Sequence, residues 1–384
     1  MRDVIVIGGG PSGLNAARKL AQGGLDVTLL EKKSQIGTNV VCTGIVGEEA
    51  FREFELSNDS ICKNIQEVKM ISPHSTEITY QHPFSFAHVV NREAFDKNLA
   101  VAARSKGVEI NLDNHVLDIS TNRSSIDVSA KIESKYLKKY SARMAIIATG
   151  IDYSLNKKLG LGYPKNFIHG IQAEFESDNW DLTTILVGND TAPGAFAWVV
   201  PTDERTVRVG LMTEKNPLLC FQNLMKKLDL TLEQNIRGSE IQFRAITQGL
   251  VSRTYGERVL AVGEAVGQVK TTSGGGIYFG LLCSDIASRV VLKRFDEGCF
   301  SALALAEYEK LWKKAIQKEI LIGYYARKIC GKLTDTQIER LFQIAQTDGI
   351  IPLVREKGNF DWHSELILAL IKKVPLLSNL IHLT

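Results

Sequence analysis

Apolar residues are spaced in three different ways along the chain. Unbroken runs at Val4-Ile5-Val6-Ile7, Val27-Thr28-Leu29-Leu30, Met144-Ala145-Ile146-Ile147 and Val259-Leu260-Ala261-Val262 predict strands buried on both faces, as in a parallel sheet. Helical spacing appears at Leu14, Ala17, Leu20 and Ala21, ending at Gly23-Gly24, and again over Arg92–Ser105 at Phe95, Leu99, Ala102 and Ala103. Gly107-Val108-Glu109-Ile110-Asn111-Leu112 predicts a further strand, and the residues after Gly276 an apolar helix through Ser288. A period of two marks Val68 to Tyr80 and Ile168 to Gly210, which predicts antiparallel strands with one solvated face.

Strand, helix and strand in alternation predict an α/β protein. The pattern assigns residues 1–66, 92–165 and 250–300 to one discontinuous Rossmann-type domain. An inserted antiparallel-sheet domain takes 67–91 and 166–249, and a helical C-terminal region 301–384. A chain of 384 residues is long enough for such a division. In the C-terminal region Leu311, Trp312, Ala315, Ile316, Ile320 and Gly323 make an apolar stripe, with Lys310, Lys313, Lys314 and Lys318 largely off it. The tail from Glu365 to Leu377 is apolar with a basic pair and a proline break. It suits packing on the domain, a dimer contact, or peripheral contact with a membrane surface.

Composition narrows the chemistry. Charged residues make up 23% and the net charge is +3, too little for the concentrated basic patch that nucleic-acid binding needs. Six scattered cysteines form no CxxC pair, which argues against structural zinc or iron–sulfur sites and predicts reduced thiols in the cytoplasm. The seven histidines show no metal-ligand spacing, and no G-x-S-x-G nucleophile motif is present.

The first strand runs into Gly8-Gly9-Gly10-Pro11-Ser12-Gly13, which matches G-x-G-x-x-G. The first glycine serves the tight turn, the second lets a pyrophosphate approach the backbone, and the third brings helix and strand together. Glu31, with Lys32 beside it, closes the second strand near the offset of about 20 residues at which a carboxylate accepts from a ribose diol. A dinucleotide is therefore expected. The segment after residue 258 indicates which one. Gly263-Glu264 ends a strand with a carboxylate where a ribityl chain can pass, and Gly274-Gly275-Gly276-Ile277 opens a helix whose free N–H groups suit a flavin or its pyrophosphate. The expectation is FAD.

Here the sequence resembles the geranylgeranyl reductase family of FAD-dependent, hydroxylase-like flavoproteins. Residues 263–277 resemble its G-D-A-A-G-x-V-x-P-x-T-G-G-G-I stretch, with Glu264 in place of Asp and Thr271 in place of Pro. Val40-Val41-Cys42-Thr43-Gly44 resembles its Cys-x-Gly element, and Asn91 to Asp96 its Arg-x-x-Phe-Asp helix start, which brings Arg92 to the cofactor. Pro193 to Pro201 resembles its P-x-x-Y-x-W-x-F-P motif, with Phe196 and Val200 in place of Tyr and Phe. The resemblance runs from residue 1 to about residue 300. It implies that Val116 lies near the adenine and that Ala148-Thr149-Gly150 ends a strand at the cofactor.

It also implies reduction of C=C bonds in an isoprenoid or similar apolar chain, with NAD(P)H or a ferredoxin as external reductant. Phe196, Trp198 and Pro201 are then substrate-side residues, although paired aromatics on a strand equally fill a sheet's core. Cys42 is the candidate proton donor or gate beside the flavin; a lone cysteine is also commonly a small buried apolar residue. Two other functions share this fold: a monooxygenase of an aromatic or quinone-like molecule, and a redox-neutral flavoprotein that carries lipid or electrons.

Overall fold

The computed structural model describes residues 1–133, 135–231, 241–347 and 349–373. The first β-branched run forms the strand Arg2–Ile7 near the middle of an eight-stranded sheet. Tyr136–Ile147 and Val27–Leu30 flank it in parallel, and Val259–Ala261 and Glu109–Asn111 extend the parallel order outward. Alternation decides which layer each side chain joins. Val4 and Val6 face the helices Pro11–Gln22, Arg92–Ser105, Ile277–Glu297 and Ala302–Cys330, while Ile5 and Ile7 face an antiparallel meander through Asn114–Thr121 and Ile126–Ile132. With both faces covered, an unbroken apolar run is what this strand requires. The first helix closes through Gly24, whose φ is +88°, rather than through Gly23, which keeps φ at −80°.

The inserted sheet has seven strands in the spatial order Gln242–Gln248, Asn166–Glu176, Thr206–Thr213, Ala197–Pro201, Thr183–Leu186, Glu67–Ile71 and Glu77–Gln81. It departs from the period-of-two expectation in two ways. Thr183–Leu186 pairs with Glu67–Ile71 in parallel, so the sheet is mixed. Its central strands also have no solvated face. The helix Pro217–Lys227 packs Phe221 and Leu224 against Phe175, Val199 and Val209 on one side, and Ile168, Trp198, Val200 and Met212 are buried on the other. Within 67–91, Ala87–Val90 lies outside this sheet and joins Ile45–Gly47 and Ile61–Ile65 in a three-stranded one.

After residue 301 the chain forms the helices Ala302–Cys330, Asp335–Thr347, Ile350–Lys357 and Ser364–Lys373. The buried stripe of the first is Leu305, Tyr308, Trp312, Ile316, Ile320 and Gly323. Leu311 and Ala315, expected in it, are exposed, because burial repeats every four residues from Tyr308 to Ile320. The proline break of the tail and the residues beyond it, Val374 to Leu377, lie outside the described residues. Among the described residues no helix is long and apolar enough to cross a membrane.

Candidate functional site

The ends of the parallel strands, one face of the inserted sheet and the segment around Phe360 enclose a cavity of about 670 Å³. That size is typical of cofactor and small-molecule sites. At one end it meets the glycine turn that the sequence predicts. Gly8 has φ +111°, and a side chain there would collide with the Ala148 carbonyl. A Cβ on Gly13 would lie 2.0 Å from the Gly8 oxygen, so the third glycine is what lets helix and strand touch. A Cβ on Gly10, by contrast, would meet no protein atom within 4 Å. The turn is closed everywhere except where it faces the cavity. Glu31 is fixed at the cavity edge, its carboxylate accepting from the Gly9 amide at 2.5 Å and the Lys33 amide at 2.9 Å.

The other end is built around the second glycine turn. Gly274 has φ +74°, and Gly276 caps the helix Ile277–Glu297 with no side-chain acceptor. Neither this helix nor Pro11–Gln22 carries an acidic residue in its first turn. Two helix starts with free N–H groups thus face one cavity, an arrangement that favours an anionic ligand. Glu264 projects into the same space and pairs with Arg244 of the inserted sheet, which also donates to the Val41 carbonyl at 3.3 Å. Lys270 reaches the cavity from beneath the turn, its Nζ 2.6 Å from Asp361 Oδ1. Around this end the lining turns apolar: Ile185, Phe196, Trp198, Met212, Ile246 and Phe360. Phe196 and Trp198 meet edge to face with ring centroids 6.0 Å apart. The indole fits because its partner across the strands is Gly210, where a Cβ would fall 2.6 Å from the ring.

Cys42 sits between the two ends. The backbone around it is held by three side chains from adjacent strands of the inserted sheet. Arg244 donates to the Val41 carbonyl, Gln172 to that of Cys42 at 3.3 Å, and Arg208 to that of Thr43 at 2.6 Å. Strand register explains the convergence: Arg244 lies opposite Gly170, and Arg208 opposite Glu174, on either side of Gln172 with a period of two. The thiol accepts from the Gly44 amide at 3.3 Å. Burial raises its pKa, but the Arg92 guanidinium, that amide and Arg244 outweigh burial and hold it below the usual thiol value. Arg92 is itself fixed by a two-pronged bond to Asp96, at 2.9 and 3.0 Å. Burial opposes its charge, and Asp96 and Cys42 more than restore it.

Most residues singled out from sequence line this one cavity: Gly8, Gly10, Pro11, Ser12, Glu31, Lys32, Cys42, Arg92, Val116, Ala148, Thr149, Gly150, Glu264, Gly274, Gly275, Gly276, Ile277, Phe196 and Trp198. Gly13, Gly263 and Pro201 do not. Gly263 instead abuts Ser12, whose Oγ would be 2.5 Å from a Cβ there. Pro201 is buried at the end of its strand. Sequence reasoning missed Gln172, Met212, Arg244, Ile246, Lys270 and Phe360. A signal existed for the first four, on the inward side of strands, and for Lys270, inside the glycine-rich stretch. None existed for Phe360, brought in from 83 residues beyond Ile277.

FAD fits this lining. Gly10 opens onto the space that a pyrophosphate needs, Glu31 stands ready for a ribose, and the second helix start faces the far end beside Glu264 and Lys270.

Comparison with known proteins agrees. Residues 2–178 match the family model described as pyridine nucleotide-disulphide oxidoreductase. The chain is 31% identical to digeranylgeranylglycerophospholipid reductase 1 of Methanosphaera stadtmanae, over 90% of this chain and 88% of that one. It is 29% identical to digeranylgeranylglycerophospholipid reductase 2 of Methanothermobacter thermautotrophicus, over 89% of this chain and 91% of that one. Among solved structures, a geranylgeranyl bacteriochlorophyll reductase-like protein of Thermoplasma acidophilum superposes with a TM-score of 0.85 at 22% identity, covering 100% of this chain and 99% of its own. With these relatives matched over nearly their whole length, the chain belongs to the geranylgeranyl reductase family of FAD-dependent oxidoreductases.

Proposed function

We propose that the protein reduces carbon–carbon double bonds in the isoprenoid chains of a lipid. One observation carries the reading: the apolar wall of Phe196, Trp198, Met212, Ile246 and Phe360 faces the second glycine turn within a single cavity. A chain with no polar groups offers only its shape and surface to be recognised, and an apolar wall that excludes water suits it. The names of the two archaeal relatives, digeranylgeranylglycerophospholipid reductases, support the same substrate class.

Bound FAD supplies the hydride, from N5 of its ring. The chain's own residues do the rest. Glu31 and the turn at Gly10 hold the adenosine and pyrophosphate, and Gly274 to Ile277 with Lys270 take the ring end. The aromatic pair Phe196 and Trp198 orients the alkene. Saturation also needs a proton at the second carbon, and Cys42 Sγ–H is the donor assigned here. Its lowered pKa makes it a stronger acid than a free thiol, and Arg92 and Arg244 stabilise the thiolate left behind. The electrons for each bond would come from an external donor, NAD(P)H or reduced ferredoxin.

The test is anaerobic incubation of the chemically reduced holoprotein with a digeranylgeranyl glycerolipid in micelles, read by mass spectrometry. The expected product is two mass units heavier for each bond reduced, and Cys42→Ala is expected to slow its formation about 100-fold. An unchanged lipid, or a product sixteen units heavier that forms only with oxygen, overturns the reading.

A further inference from the structure

The reduction derived above uses Lys270 only to hold the ring end and gives its ion pair with Asp361 no role, yet the burial of that pair calls for a reason. Their side chains are only 6% and 3% exposed. Breaking such a pair is costly, and keeping one seldom stabilises a fold more than apolar residues of the same size. The second glycine turn is built around the lysine. Lys270 N donates to the Gly275 carbonyl at 2.9 Å and Gly274 N to the Lys270 carbonyl at 2.8 Å. The ammonium folds back under the turn, where a Cβ on Gly275 would lie 2.8 Å from Cε. It also donates to the Phe360 carbonyl at 3.0 Å and lies 4.4 Å from the centre of the Phe360 ring. Lys270 lines the cavity and Asp361 does not, so the cation is the nearer charge. Asp361 keeps one oxygen, Oδ2, buried without a partner. Three other titratable groups, His363, Glu49 and Glu319, stand near the pair. His363 is held neutral, burial and Lys270 pushing its pKa down to about 4, and Glu49 and Glu319 act on Asp361 and His363 from neighbouring helices.

We propose that Lys270 sets the redox poise of the bound flavin, with Asp361 as the counter-charge that tempers it. This rests on the ring end of FAD lying at Gly274 to Ile277, as assigned above. A hydride from NAD(P)H, or two electrons from reduced ferredoxin with one proton from solvent, would leave the ring with one negative charge. A buried cation stabilises that charge and favours the reduced cofactor, while the carboxylate behind it weakens the effect. The C-terminal segment thereby reaches the cofactor electrostatically.

Opposite charges make opposite predictions. The two-electron midpoint potential of the FAD-loaded protein is measured under nitrogen against reference dyes, with no lipid present. Lys270→Met is expected to weaken the preference for the reduced state at least tenfold, a fall of about 30 mV for two electrons. Asp361→Asn, close in shape, is expected to raise the potential by a similar factor. Lys270→Arg keeps the charge and is expected to stay within threefold of the parent, which separates charge from packing. As a second readout, the absorbance of the reduced protein between pH 5 and pH 9 is expected to show the neutral reduced ring persisting to higher pH in Lys270→Met. Shifts of the same sign in Lys270→Met and Asp361→Asn, or no shift in Asp361→Asn, overturn the proposal. Since no isoprenoid enters these measurements, their outcome is independent of whether the lipid is the substrate.

Discussion

The glycine turn at residues 8–13 and the one at residues 274–276 both face the cavity from the start of a helix, yet different parts of the chain hold them. Around the first, the tightest contacts of Gly8 and Gly13 are backbone on backbone. Gly8 abuts Ala148, Gly13 abuts Gly8, and among the described residues the only charged side chain that bonds the turn is Glu31, twenty-two residues from Gly9. Around the second, the support comes from the C-terminal region. Thr271 donates to the Ile320 carbonyl at 2.7 Å, Thr272 bonds His363, and Lys270 pairs with Asp361. Glu319 then ties down the amides of His363 and Ser364, at 2.9 and 2.8 Å. One turn is specified by close steric packing, Gly8 against Ala148 and Gly13 against Gly8. The other depends on long-range polar contacts that must all form together.

Three substitutions probe this contrast, besides those already described. The largest effect is expected from Gly10→Val. The protein has room for the side chain, so the fold and its melting temperature should hold, but the added atoms occupy the cofactor's space. FAD affinity is expected to fall at least 100-fold, about 2.7 kcal/mol, read as loss of yellow absorbance on purification. Full FAD occupancy in this variant removes the first turn from the site.

Gly323→Val attacks the second turn from behind. A Cβ there would sit 2.7 Å from Thr271 Oγ1 and 2.9 Å from Thr272, while Gly323 lies away from the cavity. Overpacking is expected to lower stability by about 2–3 kcal/mol in urea and to speed FAD release. If the stability falls but FAD release keeps its rate, the C-terminal helices do not support the cofactor end of the turn.

The smallest effect is a dependence on pH. His363 is depressed to about 4, chiefly by burial and next by Lys270, against its ordinary value of 6.5. Between these values the unfolded chain binds the proton and the folded one does not, so stability falls as pH drops through that window. About 1–2 kcal/mol should be lost between pH 7 and pH 5 from this residue, and His363→Gln should remove that part. Denaturation curves at the two pH values check it; equal losses in parent and variant exclude His363 as the cause.

The same contrast explains how much of the molecule was legible in its sequence. The strand at Arg2–Ile7, the glycine turn, Glu31 and the helix Arg92–Ser105 follow from rules acting within about thirty residues, and all were readable. Strand pairing in the inserted sheet was not. Period two identifies Gln172 and Arg244 as sharing sides with their neighbours, but which strands lie side by side depends on the whole chain. Trp198 is readable from sequence as an aromatic on a strand, whereas its fit over Gly210 needs the register. Lys270 and Asp361 are ninety-one residues apart, and no local pattern marks either as half of a pair.

The three side chains that hold the Val41, Cys42 and Thr43 carbonyls bear on how far this architecture can be taken apart. Arg244, Gln172 and Arg208 belong to the sheet that also presents Phe196, Trp198, Met212 and Ile246. The apolar lining of the cavity and the brackets that position the thiol are therefore one piece. A chimera that imported another sheet to change the ligand would loosen Cys42 unless it brought matching donors at these three positions. Point changes within the apolar wall leave the brackets intact, which makes them the safer way to retune the site.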